Sequence, residues 1–168
     1  MRLFVALKLP KQISDYLESL QKSLPEGKMK LNKHFHLTLQ FLGHTDSEKL
    51  DDIKNALKKI SFEKIPIKLG KIGVFKDKKG FIKVVWASLE ASETLNELQK
   101  EVQKSLKSLG FEPDKPFSPH LTLARIKYID DEKFEQELKN IKIEPLEAKL
   151  TELILYQNHL ECLKLTSH

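Results

Sequence analysis

The chain has one cysteine, Cys162, so no internal disulfide can form and a fold of 168 residues must rest on buried apolar surface. At that length the expectation is one compact domain spanning residues 1–168 and burying about two thirds of the surface of the unfolded chain. No apolar run approaches the roughly 20 residues of a membrane span. The opening Met1-Arg2-Leu3-Phe4-Val5-Ala6-Leu7-Lys8-Leu9-Pro10 holds too short an apolar stretch for a secretory signal. A soluble, cytoplasmic protein with no membrane partner is expected, with a monomer as the default state. Among the six glycines neither G-x-G-x-x-G nor G-x-x-x-x-G-K-[ST] occurs, which argues against dinucleotide and ATP sites of those kinds. A charged fraction of 32% beside 40% hydrophobic residues, with no low-complexity segment, excludes a disordered chain.

Arginine is scarce as well. Of 29 basic residues only Arg2 and Arg125 are arginine and the remaining 27 are lysine, within a net charge of +5 that suits a polyanionic partner. A guanidinium forks onto two phosphate oxygens where an ammonium acts as a point charge, so the position of a rare arginine carries information.

What is present is a repeat. His-Leu-Thr-Leu occurs at His36-Leu37-Thr38-Leu39 and again at His120-Leu121-Thr122-Leu123. Each copy lies in a segment that reads as a strand, so its His and Thr share one face and its leucines the other. A lone histidine on such a strand is ordinarily a core residue satisfied by one hydrogen bond. A matched pair out of six histidines points instead to two imidazoles and two hydroxyls converging on one cleft.

The periodicity predicts the surrounding elements. A strand from Arg2 to Leu9 precedes a helix from Lys11 to Leu24 carrying Ile13, Leu17, Leu20 and Leu24, ended by Pro25-Glu26-Gly27. The first motif strand runs from His34 to Leu42, closed by Gly43. Asp46 or Ser47 then caps a helix with Leu50, Ile53, Leu57 and Ile60 in one stripe. Ile65 to Phe75 and Phe81 to Leu89 form a hairpin around Asp77-Lys78-Lys79-Gly80. Ser92 caps a helix that Gly110 stops, and the second motif strand extends from His120 to Tyr128. A short helix from Asp130 to Lys139 and a closing hairpin of Lys149 to Tyr156 with Leu160 to Thr166 complete an α+β chain of two similar halves.

Strict alternation puts Leu37, Leu39 and Phe41 on one face of the first strand and His34, His36, Thr38 and Gln40 on the other. It also sends Phe41 and Arg125, each five residues past its motif His, to the leucine face. Phe41 is then expected to pack in the core, and Arg125 reaches a phosphate only if a bulge or twist intervenes. Two opposed imidazoles suit a reaction in which one removes a proton from a nucleophile and the other returns one to a leaving group. Threonine hydroxyls are short, uncharged donors able to hold the non-bridging oxygens of a phosphoryl group. Phosphoryl transfer without a metal is the chemistry these residues fit.

These residues also resemble a family. The two H-x-T motifs, Phe41-Leu42-Gly43 after the first, Pro119-His120-Leu121-Thr122-Leu123-Ala124-Arg125 at the second, the opening Met-Arg-Leu-Phe, Gly73-Val74-Phe75 and Trp86 are similar to those of the RNA 2′,3′-cyclic phosphodiesterases, first called 2′-5′ RNA ligases, of the two-histidine (2H) phosphoesterase superfamily. The resemblance implies a two-lobed α+β fold with antiparallel sheets lining a basic cleft and helices outside. It implies His36 as proton donor to the departing ribose 3′ oxygen, His120 as the base activating water, and Thr38, Thr122 and Arg125 as phosphate ligands, with no metal and no cofactor. The substrate would be RNA with a 2′,3′-cyclic phosphate end, the product a 2′-phosphate, and the reverse reaction a 2′-5′ ligation.

Two positions depart from the pattern: His34 stands where relatives usually have Asn, and Gln40 where many have Lys. Three other readings stay open at the level of sequence: a non-catalytic binder of RNA ends, a phosphoesterase of small cyclic nucleotides, and a metallohydrolase using His34, His36 and a distant His.

Overall fold

Hydrophobic period decides where strand gives way to helix. In the computed structural model, which describes residues 1–90 and 92–168, β1 (Arg2–Lys8) leads into α1 (Lys11–Lys22), β2 (Lys28–Leu31) and β3 (His36–His44). A single 3₁₀ turn at Ser47–Lys49 opens α2 (Leu50–Lys58), followed by β4 (Ile65–Lys76), β5 (Ile82–Leu89) and α3 (Glu93–Lys107). The chain ends with β6 (His120–Tyr128), α4 (Asp131–Leu138), β7 (Glu147–Leu150), β8 (Glu152–Gln157) and β9 (Leu160–Thr166).

The helices form where apolar residues recur every third or fourth position, and they bury those stripes. Ile13, Leu17 and Leu20 of α1 and Leu95, Leu98, Val102 and Leu106 of α3 are buried. The Ser92 hydroxyl accepts from the Leu95 N–H at 3.1 Å, and the Asp130 carboxylate accepts from Lys133 N at 3.3 Å, satisfying donors that each helix start leaves free. Gly110 closes α3 at φ +90°, a conformation that a side chain would strain. The expected cap from Asp46 or Ser47 is not made: Asp46 precedes a 3₁₀ turn without a side-chain cap, and α2 begins at Leu50.

Among the described residues, nine strands make two antiparallel sheets, ordered β3-β1-β8-β9 and β2-β6-β5-β4-β7. The expected closing strand from Lys149 to Tyr156 is in fact two. Leu150 pairs with Ile65 in the second sheet and Leu153 with Leu7 in the first, so the chain changes sheets at Thr151. Strand β2 had no counterpart in the expected elements. It is a four-residue edge on β6 with Met29 as its inward side chain.

The halves match in register. In the first sheet His36 lies across from Lys8, Thr38 from Ala6, Gln40 from Val5 and Phe41 from Phe4. In the second, His120 lies across from Ser88, Thr122 from Trp86, Ala124 from Val85 and Arg125 from Val84. Leu39 and Leu123 are skipped in these pairings, so each motif strand carries a bulge at the same place. The leucines Leu37, Leu39, Leu121 and Leu123 are buried in one continuous core beneath the helices. At about 1.5–3 kcal/mol per fully buried side chain, they anchor both strands.

Candidate active site

Both motifs line a single cavity of about 640 Å³ between the sheets, which takes in His36 and Thr38 from β3 and His120, Thr122 and Arg125 from β6. The paired bulges explain how Arg125 gets there. Past each bulge the alternation reverses: Gln40 and Ala124 turn into the core, Phe41 and Arg125 turn out to the cleft. Two sequence expectations are corrected by this. Phe41 is 68% exposed on the cavity wall rather than packed in the core, and Gln40 is only 3% exposed rather than on the cleft face. Both ends of the Gln40 amide lack a hydrogen-bond partner, as does the Trp86 indole nitrogen.

The two histidines sit in different surroundings. His36 lies against Phe4 and Tyr156, each ring centre 5.0 Å away, over a small apolar cluster of Ala6, Ile154 and Tyr156 separate from the main core. Burial, and then the neighbouring His159 and His34, push its pKa down to about 4, so the imidazole is neutral near pH 7. The same burial, with Glu161 and Glu152 adding to it, pushes the Tyr156 hydroxyl up to about 12. His120 meets Phe75 edge-on at 5.0 Å and Trp86 at 6.4 Å. Its Nδ1 is 2.7 Å from the Ser118 carbonyl oxygen. A carbonyl can only accept, so Nδ1 donates, and in the neutral ring the lone pair is on Nε2.

A set of amide contacts holds the β6 bulge from outside the cleft. The Leu123 carbonyl accepts from Asn32 N at 2.9 Å and from Gln21 Nε2 of α1 at 2.9 Å. Gln21 Nε2 also donates to the Asn32 carbonyl at 2.6 Å, and Asn32 Nδ2 donates to the Thr122 carbonyl at 2.9 Å. Sequence reasoning missed Gln21 and Asn32 because a helix residue about 100 positions from the motif leaves no local signal. It also missed Phe4, Phe75, Asn158, His159 and Arg2, all on the cavity wall. For Arg2 the signal was there in the scarcity of arginine.

His34 lies just before β3 and stacks on His159 with ring centres 3.8 Å apart and planes 26° from parallel. Rings facing each other aim their in-plane lone pairs outward, so they do not converge on a cation. Among the described residues no group of three or more His, Cys, Asp or Glu is placed to hold a metal ion. Nor is any helix among them long and apolar enough to cross a membrane.

The same architecture recurs in known proteins. The family model described as LigT-like phosphoesterase matches residues 7–86 and again residues 87–161, one match to each half. The chain is 36% identical over 135 residues to the RNA 2′,3′-cyclic phosphodiesterase of Methanocaldococcus jannaschii, covering 79% of this chain and 76% of that one. It is 30% identical over 166 residues to the protein of the same name from Thermotoga maritima, covering 95% and 88%. Among solved structures, TT0787 of Thermus thermophilus superposes with a TM-score of 0.81 at 26% identity, covering 99% of this chain and 97% of that one. Escherichia coli LigT complexed with 3′-AMP superposes with a TM-score of 0.78 over 99% and 97%, and at 22% identity it speaks for the fold alone.

Proposed function

This chain belongs to the LigT-like phosphoesterases, and on that premise we propose that it is an RNA 2′,3′-cyclic phosphodiesterase that opens a terminal cyclic phosphate to a 2′-phosphomonoester. The observation that carries the reading is the convergence of two H-x-T motifs, one from each sheet, on one cavity that also receives Arg125. Residues 1–168 act as a single two-lobed catalytic domain, a cytoplasmic monomer in this reading, with RNA as its partner.

The chemistry follows from the two environments. His120 Nε2 takes a proton from water as the water oxygen attacks phosphorus. His36 gives a proton to the ribose 3′ oxygen as the phosphorus–O3′ bond breaks, leaving the phosphate on O2′. Thr38, Thr122 and Arg125 hold the non-bridging oxygens through the transition state. Protons and charge are all handled by these side chains, so the sequence of steps calls on no cofactor. His36 must be protonated to serve as the acid, although burial favours its neutral form. An anionic phosphodiester beside His36 favours its protonated form, so substrate binding opposes the effect of burial. Reversal with a 5′-hydroxyl RNA as nucleophile is 2′-5′ ligation. The ring needs a ribose 2′ hydroxyl, which makes the substrate RNA.

The test is hydrolysis of an oligonucleotide ending in a 2′,3′-cyclic phosphate, with the terminal phosphate position of the product assigned. His36→Ala and His120→Ala should each lower kcat by about 10²–10⁴-fold with the far-UV circular dichroism unchanged. Full activity in either variant refutes the assignment, and cyclic ends recovered intact from wild type would mark a binder of RNA ends instead.

A further inference from the structure

We propose that the cleft carries a second phosphate subsite, formed by Arg2, His34, His159 and Asn158 on the first-sheet side, that takes the internucleotide phosphate 5′ to the terminal nucleotide. This rests on the function proposed above and narrows its substrate to oligonucleotides rather than nucleoside cyclic phosphates.

The chain has two arginines, and both line the same cavity from different sheets, Arg2 on β1 and Arg125 on β6. Among the described residues neither has a carboxylate within 4.0 Å, so both guanidiniums are free to meet an anion. Lys8, at the other end of β1, lies 3.9 Å from Glu152 and 3.7 Å from Glu161 and does not line the cavity, so Arg2 is the cationic side chain that β1 brings to it.

His34 and His159 extend the same patch. Their rings stack with centres 3.8 Å apart, which sets two imidazoles side by side on the cavity wall. The turn that carries His159 is tied to the start of β1: Asn158 adopts φ +55°, and its N–H donates to the Arg2 carbonyl at 3.3 Å. The guanidinium of Arg2 and the His159 ring are thereby mounted on one unit. Along β1, Arg2 is four residues from Ala6, the partner of Thr38, which is roughly 13 Å by strand rise. Both side chains line the cavity, and that span suits one nucleotide, with the cyclic phosphate at Thr38 and the preceding phosphate at Arg2.

The experiment compares a nucleoside 2′,3′-cyclic phosphate with a dinucleotide ending in the same group. Wild type should favour the dinucleotide in kcat/KM, and Arg2→Gln should reduce that preference about tenfold or more. Arg125→Gln should depress both substrates and keep their ratio. A second arm measures binding of a nucleoside 2′-phosphate against a nucleoside 2′,5′-bisphosphate by calorimetry. The extra phosphate should tighten binding to wild type but not to Arg2→Gln, and His159→Ala should act in the same direction. An unchanged substrate ratio, or an equal gain from the 5′ phosphate in wild type and Arg2→Gln, overturns the subsite. Wild type that hydrolyses neither substrate refutes the proposed function alone, since the binding arm still decides the subsite. Arg2 and His159 are exposed, and thermal unfolding of each variant separates lost binding from lost fold.

Discussion

Replacing Gln21 with Met tests whether the amide contacts behind β6 position the chemistry in front of it. The substitution keeps the length of the side chain and removes one nitrogen that donates to two carbonyls, at 2.6 Å to Asn32 and 2.9 Å to Leu123. Leu123 retains the Asn32 N–H at 2.9 Å, whereas the Asn32 carbonyl loses the donor that Gln21 supplies. At about 1 kcal/mol net per hydrogen bond, the expected loss is about 2 kcal/mol, or a fall in Tm of about 4–8 °C for a chain of this size. Urea unfolding measures the first and calorimetry the second. Leu123 is the bulged residue, with Thr122 next to it and Arg125 two positions on, so kcat/KM on cyclic-phosphate RNA should also fall. The effect should nearly vanish in an Arg125→Ala background, because the two changes act on one feature. Gln21→Lys, which keeps a donor able to reach both carbonyls, should recover part of the activity. A variant that loses the expected stability yet hydrolyses RNA at the wild-type rate refutes the positioning argument.

Three further outcomes are expected. His36 binds its proton near pH 4 when folded and near 6.5 when unfolded, so its contribution to stability is complete above about 6.5 and falls as the pH drops toward 4, by up to about 3 kcal/mol. Denaturant midpoints across that range should show the slope in wild type, and an equal slope in His36→Ala would place its cause elsewhere. Gln40→Leu should raise unfolding free energy by about 1–2 kcal/mol, since it replaces a buried amide with no partner, and a fall in stability would contradict that account. In Gly73→Ala the new Cβ would clash with the Trp86 indole, so the ring must move and its contacts with Phe75 and His120 must change. Trp86 is the only tryptophan, so its emission should change while stability drops by about 1–3 kcal/mol, and an unaltered spectrum would show that the ring stays.

The histidines and threonines of the cleft were legible because a period of two is a strong signal and the repeat doubled it. Phe41 and Gln40 were misplaced because alternation was carried through a bulge. A trace of that bulge was present: Leu37, Leu39 and Leu42 have the same spacing as Leu121, Leu123 and Ile126, and in each set the last residue breaks the parity of the first two while still being buried. Strand β2 stayed hidden because Lys-Met-Lys-Leu buries one side chain and carries no apolar run. The change of sheet at Thr151 was unreadable for another reason. Both flanking segments are strand-like, and only pairing with Ile65 on one side and Leu7 on the other separates them. The Gln21 contacts depend on chain packing alone.

Strand β3 forms one margin of its sheet, whereas β6 is flanked on both sides by β5 and β2. A margin strand offers its unpaired backbone groups to any other extended chain, which is how sheets fuse and aggregate. Here the register of β3 is broken twice within nine residues, at Leu39 and Leu42, and Gly43 takes φ +68°. A second chain laid against that margin would find no continuous ladder to complete. The irregularity that turns Phe41 toward the cleft therefore also makes this margin a poor template for pairing with another strand.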